Sequence, residues 1–183
     1  MTLLIIGLAL WILVHWFKRL APNLRASLGD AGKGIVAVLL LVGLALMIIG
    51  YRGAPFIAVW TPPSFLVHVN NLSMVVAVAV FAMSHTKGRL RGRMRHPMLT
   101  SVKLWSVAHL LVNGDLASII LFGGMLVWAV GSVIMINRAE TWERPAPGDK
   151  GRDVIFIVIT FVTFAVMVGI HVALASIHFQ GDA

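Results

Sequence analysis

Residues 34–51, GIVAVLLLVGLALMIIGY, decide the fold class. Eighteen consecutive residues without a charge make a candidate membrane helix, since a bilayer core needs about 20 apolar residues at 1.5 Å per residue. The run is continuous rather than alternating, and lipid leaves exposed backbone groups without partners, so a helix satisfies it and an open strand does not. Comparable runs occupy residues 2–17, 66–84, 117–137 and 153–177, with a shorter one at 98–112. The chain therefore reads as all-α, a polytopic transmembrane bundle of about six helices forming one domain over residues 1–183. The first run has no basic segment before it and no small-residue cleavage site after it, so it is expected to stay as a span rather than leave as a signal peptide.

Composition agrees. The 183 residues are 59% hydrophobic and 12% charged, with a mean hydropathy of +0.92, against about 25% charged in soluble domains. There is no cysteine, which removes disulfides, thiolate metal sites, iron–sulfur clusters and cysteine nucleophiles together. The net charge of +8 sits in clusters between apolar runs, the pattern of membrane anchoring, and nucleic-acid binding is not expected.

Those clusters set orientation. Lys18, Arg19, Arg25 and Lys33 follow the first run, Lys87, Arg89, Arg91, Arg93 and Arg95 the third, and Arg138, Arg144, Lys150 and Arg152 the fifth. The other connections hold Arg52 and no further base. The positive-inside rule makes the basic connections cytoplasmic and both termini periplasmic in a bacterial inner membrane. Trp60-Thr61-Pro62-Pro63 reads as a rigid turn, and residues 143–153, ERPAPGDKGRD, as a solvated loop without a catalytic signature.

Ionisable side chains inside apolar runs are costly and mark candidate sites. His85 and His178 stand at the ends of runs and read as interfacial. His171 lies two turns before His178 on one helical face, about 10 Å away, too far for both to hold one ion; a single-ligand role for His171 stays open. His68, Asn70 and Asn71 suit hydrogen bonding between helices, with ligand contact as the alternative. Arg95 and His96 precede Pro97, which favours the first helical position, so they mark a helix entrance able to hold phosphate or a lipid headgroup. His96 and His109 are about 20 Å apart along a helix and cannot share a metal.

His15 and His109 remain. Lys103 can snorkel to the cytoplasmic surface, which sets His109 about 9 Å inside it, while His15 lies about 4.5 Å inside Lys18. Spacing permits a haem between the first and fourth runs with these imidazoles axial. Should Arg95 to Pro97 mark the inner boundary instead, His109 lies deeper and the pairing is strained.

HWFKRLAPNLR (His15 to Arg25), Gly50-Tyr51 and RHPMLTSVKLWSVAHLLVNGD (Arg95 to Asp115) resemble the NnrU family of bacterial membrane proteins over nearly the whole chain. That resemblance implies a link to denitrification, in nitrite and nitric oxide reduction. The same motifs are similar to 15-cis-zeta-carotene isomerase, an integral membrane enzyme with haem b. Its RHP pattern, followed by a Trp-Cys-x-Ala-His segment, includes a haem-ligating histidine, and an earlier helix supplies the other. Carried over, these fall on His109, in Trp105-Ser106-Val107-Ala108-His109, and on His15. The isomerase has a cysteine where this chain has Ser106, a poor substitute for a thiolate ligand, so ligand switching and polyene isomerisation do not carry over directly.

The resulting expectation is a haem b membrane protein in redox or nitrogen-oxide chemistry, or one isomerising a lipophilic polyene, surrounded by lipid and meeting a redox or respiratory partner. A non-enzymatic assembly factor or partner subunit of a nitrogen-oxide reductase is the alternative. A membrane methyltransferase, whose family also opens a helix with RHP, is a third, although its later glutamate-and-aromatic signature is missing after the last run.

Overall fold

The computed structural model describes residues 1–180, with side chains described except at residue 91 and residues 174–180. Among them the chain forms α1 (Thr2–Leu20), α2 (Pro22–Ser27), α3 (Ala31–Arg52), α4 (Leu66–His85), a 3-10 turn (Arg89–Gly92), α5 (Pro97–Val112), α6 (Leu116–Ala139) and α7 (Gly151–Gln180). Five helices, α1, α3, α4, α6 and α7, are long and apolar enough to cross a bilayer. The sixth expected span, α5, has sixteen residues, about 24 Å, short of a hydrocarbon layer of about 30 Å. Its ends explain this. Pro97 occupies the first turn, and beyond Val112 the chain turns at Asn113-Gly114 so that the Asp115 carboxylate caps α6, accepting from the Ser118 amide at 3.0 Å.

The long helices alternate between one end that gathers the basic connections and an opposite end. Packing follows the order α3, α1, α6, α5, α4, α7. The core is centred on Leu4, Leu8, Met47, Ala117, Met125, Trp128 and Ala129, from α1, α3 and α6. Lipid tails are as apolar as leucine, so association rests on close backbone approach and on hydrogen bonds between helices. Both are present. A Cβ on Gly7 of α1 would lie 2.7 Å from the Met47 amide and 2.8 Å from the Gly43 carbonyl of α3. Trp16 Nε1 donates to Ser132 Oγ at 2.9 Å, and the Tyr51 and Ser118 hydroxyls meet at 2.9 Å, tying α1 and α3 to α6.

The opposite end is closed by the 53–65 connection. Val59 N–H donates to the Gly114 carbonyl at 2.8 Å and Leu116 N–H to the Ile57 carbonyl at 2.9 Å, an antiparallel bridge at Ala58 and Asp115. Gly114 lies so close to the Trp60 carbonyl that no Cβ fits there. Large apolar side chains cover the outer surface, among them Leu41 at 65% and Phe161 at 67% exposure. Such a girdle suits lipid rather than water.

Candidate functional site

His109 is the centre of an aromatic and histidine cluster. Its ring lies 5.2 Å from Trp105 one turn earlier, 4.5 Å from Phe122 of α6, and 6.4 Å from His171 of α7. His109 Nδ1 is 2.9 Å from the Trp105 carbonyl, and His171 Nδ1 is 2.7 Å from the Met167 carbonyl. A carbonyl only accepts, so each Nδ1 carries a proton, which in a neutral ring leaves the lone pair on Nε2. Two imidazoles in the tautomer that metals bind through Nε2 thus stand beside one another on different helices.

Both line a cleft of about 460 Å³ together with Asn70 and Asn71 of α4 and apolar residues that include Met74 and Phe164. Asn70 Nδ2 donates to Asn71 Oδ1 at 3.1 Å, while Asn70 Oδ1 is buried without a partner. A second apolar cleft of about 260 Å³ shares Met74 and Met167 and is bordered by Trp105, Ser101 and Thr163. Thr163 and Met167 are therefore level with Ser101 and Trp105, and the first two turns of α7 project past the start of α5 at the basic end.

His15 has different surroundings. Its ring lies 4.4 Å from Trp11 and 4.7 Å from Trp128, and its Nδ1 donates to the Trp11 carbonyl at 2.8 Å. His15 and His109 meet α6 at Trp128 and Phe122, about 9 Å apart along that helix and about 120° around it. Sequence spacing permits a pairing of His15 with His109 and the resemblance implies it; the structure places the His171 ring 6.4 Å from that of His109. Sequence depth misses this pair because it counts each helix from its own start, and the overhang of α7 shifts the register.

The remaining candidates are tied down elsewhere. His96 Nε2 is 2.8 Å from Asn137 Oδ1, and Arg95 Nη2 donates to the Glu140 carbonyl at 2.6 Å, so the helix entrance fastens α5 to the end of α6. His85 stacks on Phe81 with ring centres 4.8 Å apart, and His68 is exposed. The side chain of His178 lies outside the described residues. Ser106 is fully buried and its hydroxyl has no partner.

Among the described residues no cluster of three histidine or carboxylate side chains forms a site for a bare metal ion. A zinc site takes three or four protein ligands, whereas a porphyrin brings four nitrogens and leaves axial positions for one or two side chains. The residues fit that second case. With ring centres 6.4 Å apart, His109 and His171 would be the residues to hold such a group.

No curated protein and no solved structure matches the chain. The family described as NnrU protein matches residues 3–179, and on that extent the chain belongs to the NnrU protein family.

Proposed function

We propose that this NnrU protein binds a haem b in the cleft between α4, α5 and α7, that His109 and His171 would be the residues holding it, and that it serves one-electron chemistry within the membrane. The observation that carries the reading is the juxtaposition of two imidazoles 6.4 Å apart, each with Nδ1 bound to the carbonyl one turn earlier. Haem b, when bound, supplies a reversible one-electron couple.

The chain's own groups do the rest. The Trp105 and Met167 carbonyls fix the tautomer and aim of each ring and raise its basicity as a ligand. Phe122 and Trp105 wall His109 and would keep water from a group held there. Asn70 Oδ1, buried and unpartnered, leaves one free acceptor in the cleft wall, which would suit a donor group on a bound molecule. With two side-chain ligands, electron transfer or sensing is favoured over chemistry that needs an open position. Ser106, sealed in the core rather than lining the cleft, offers no replacement for the isomerase cysteine, which weighs against polyene isomerisation.

Family membership supports a place in respiratory nitrite and nitric oxide reduction, with a redox protein as partner. The basic end lies in the cytoplasm of a bacterial inner membrane, and α1 starts and α7 finishes towards the periplasm. Because the chain lacks cysteine, single cysteines at Ser64 and Thr141 report sidedness directly: an impermeant maleimide added to intact spheroplasts labels the first and spares the second. The haem reading is tested on protein purified in detergent from haem-sufficient cells. A reduced-minus-oxidised spectrum with a sharp α band at about one haem per chain supports it, and metal-free protein from such cells overturns it.

A further inference from the structure

The basic end carries a cleft that the haem reading does not use. It measures about 380 Å³ and is lined by Arg89, Gly92, Arg93, Arg144, Pro145 and Pro147. Its walls are two connections far apart in sequence, the one between α4 and α5 and the one between α6 and α7.

Named contacts hold these walls together. Gly148 N–H donates to the Gly88 carbonyl at 3.1 Å. The Asp153 carboxylate accepts the Arg89 amide at 3.0 Å and also pairs with the Arg89 guanidinium. Arg95 reaches the Glu140 carbonyl, and a Cβ on Gly92 would lie 2.5 Å from the Pro145 carbonyl. The loops therefore form a built groove rather than two independent segments.

Charge in this groove is one-sided. Among the described residues, three arginine side chains line it and no carboxylate does. Arg89 is paired with Asp153 and Glu140 with Arg19 at 2.9 Å, so the open charge of the groove rests on Arg93 and Arg144. Arg144 lies over the Trp142 ring at 5.9 Å, which holds its planar head in place. Pro145 and Pro147 contribute no amide donors, so recognition falls to the arginines. A guanidinium fork matches phosphate oxygens in pairs, where an ammonium acts as a point charge.

We propose that this cleft binds a phosphate group, carried either by an anionic lipid headgroup at the membrane surface or by a free phosphate or phosphate monoester. Charge-assisted hydrogen bonds make each arginine worth roughly tenfold in affinity.

The test compares wild type with Arg93→Gln/Arg144→Gln and with Lys33→Gln/Arg52→Gln, which removes the same charge away from the cleft. Inorganic phosphate and glycerol 3-phosphate are titrated calorimetrically into delipidated protein in neutral detergent. Separately, mass spectrometry of protein extracted from mixed phosphatidylglycerol and phosphatidylcholine vesicles records which lipid is retained. A free source gives binding in the first arm, weakened about 100-fold in the cleft variant. A lipid source leaves that arm silent and gives selective retention of phosphatidylglycerol, lost in the same variant. Silence in both arms, or equal weakening in the distant variant, overturns the proposal. Neither arm reads haem, so failure here is separable from failure of the His109 and His171 reading.

Discussion

Replacing Gly50 by alanine tests how α1 and α3 are held together. A Cβ at Gly50 would lie 2.7 Å from both the Leu3 carbonyl carbon and the Leu4 Cα, and closer still to the Leu4 amide nitrogen. All are backbone atoms and cannot rotate away, so reaching ordinary contact, which begins at 3.4 Å, requires α1 to withdraw by about 1 Å. A gap of that size forfeits roughly a quarter to a half of the dispersion energy of the separated atoms, and overpacking of this kind costs about 1–3 kcal/mol. Because the contacts are with backbone, the cost falls in the upper part of that range, about 2–3 kcal/mol; alanine gains about 1 kcal/mol over glycine within a helix, leaving a net loss of about 1–2 kcal/mol. Gly34, on the same helix with no atom within 4 Å of its Cβ position, gains the propensity alone. With about 2–4 °C per kcal/mol for a chain of this size, thermal unfolding in detergent shows Gly50→Ala lower by roughly 2–8 °C and Gly34→Ala higher by about 2–4 °C. A Gly50→Ala midpoint equal to or above wild type refutes the close-contact account.

Three further outcomes follow from the same geometry. Gly114→Ala pushes against the Trp60 carbonyl and opens the bridge at Ala58 and Asp115; hydrogen exchange at the Val59 and Leu116 amides rises at least tenfold, and unchanged exchange contradicts it. The Arg19 guanidinium, hydrogen-bonded to Glu140, holds that carboxyl below the usual glutamate range. A lowered carboxylate contributes stability that is present above its unfolded value of about 4.3 and lost as pH falls through the lower folded value; Glu140→Gln therefore loses part of the drop in unfolding temperature between pH 7 and strongly acid solution, and an unaltered drop argues against the pair. His96→Ala removes one hydrogen bond to Asn137 and costs about 1 kcal/mol with haem content unchanged; loss of haem contradicts its anchoring role.

Hydropathy makes the helices readable because lipid imposes one backbone solution on each apolar run. Residues 98–112 and 117–137 were expected as separate helices, and Pro97 and the Asn113-Gly114 turn account for their limits. Gly50-Tyr51 was recognisable as a motif, but its roles, a seat for α1 and a hydroxyl contact with Ser118, depend on partners from distant segments. His109 was legible as an intramembrane imidazole beside Trp105. Its neighbour was not, because helical rise gives depth only within one helix, and the start of α7 lies beside the connection before α5, where Asp153 meets Arg89. Residues 143–153 looked like plain solvated loop, since their arginine cleft exists only once the segment lies against residues 88–92.

The central claim is the proposal that His109 and His171, rather than His109 and His15, would hold the cofactor. Reduced-minus-oxidised spectra of His15→Ala, His109→Ala and His171→Ala, purified side by side, test it most directly. The account predicts that the sharp α band survives in His15→Ala and is lost in both of the others. A band lost with His15→Ala and retained with His171→Ala contradicts it.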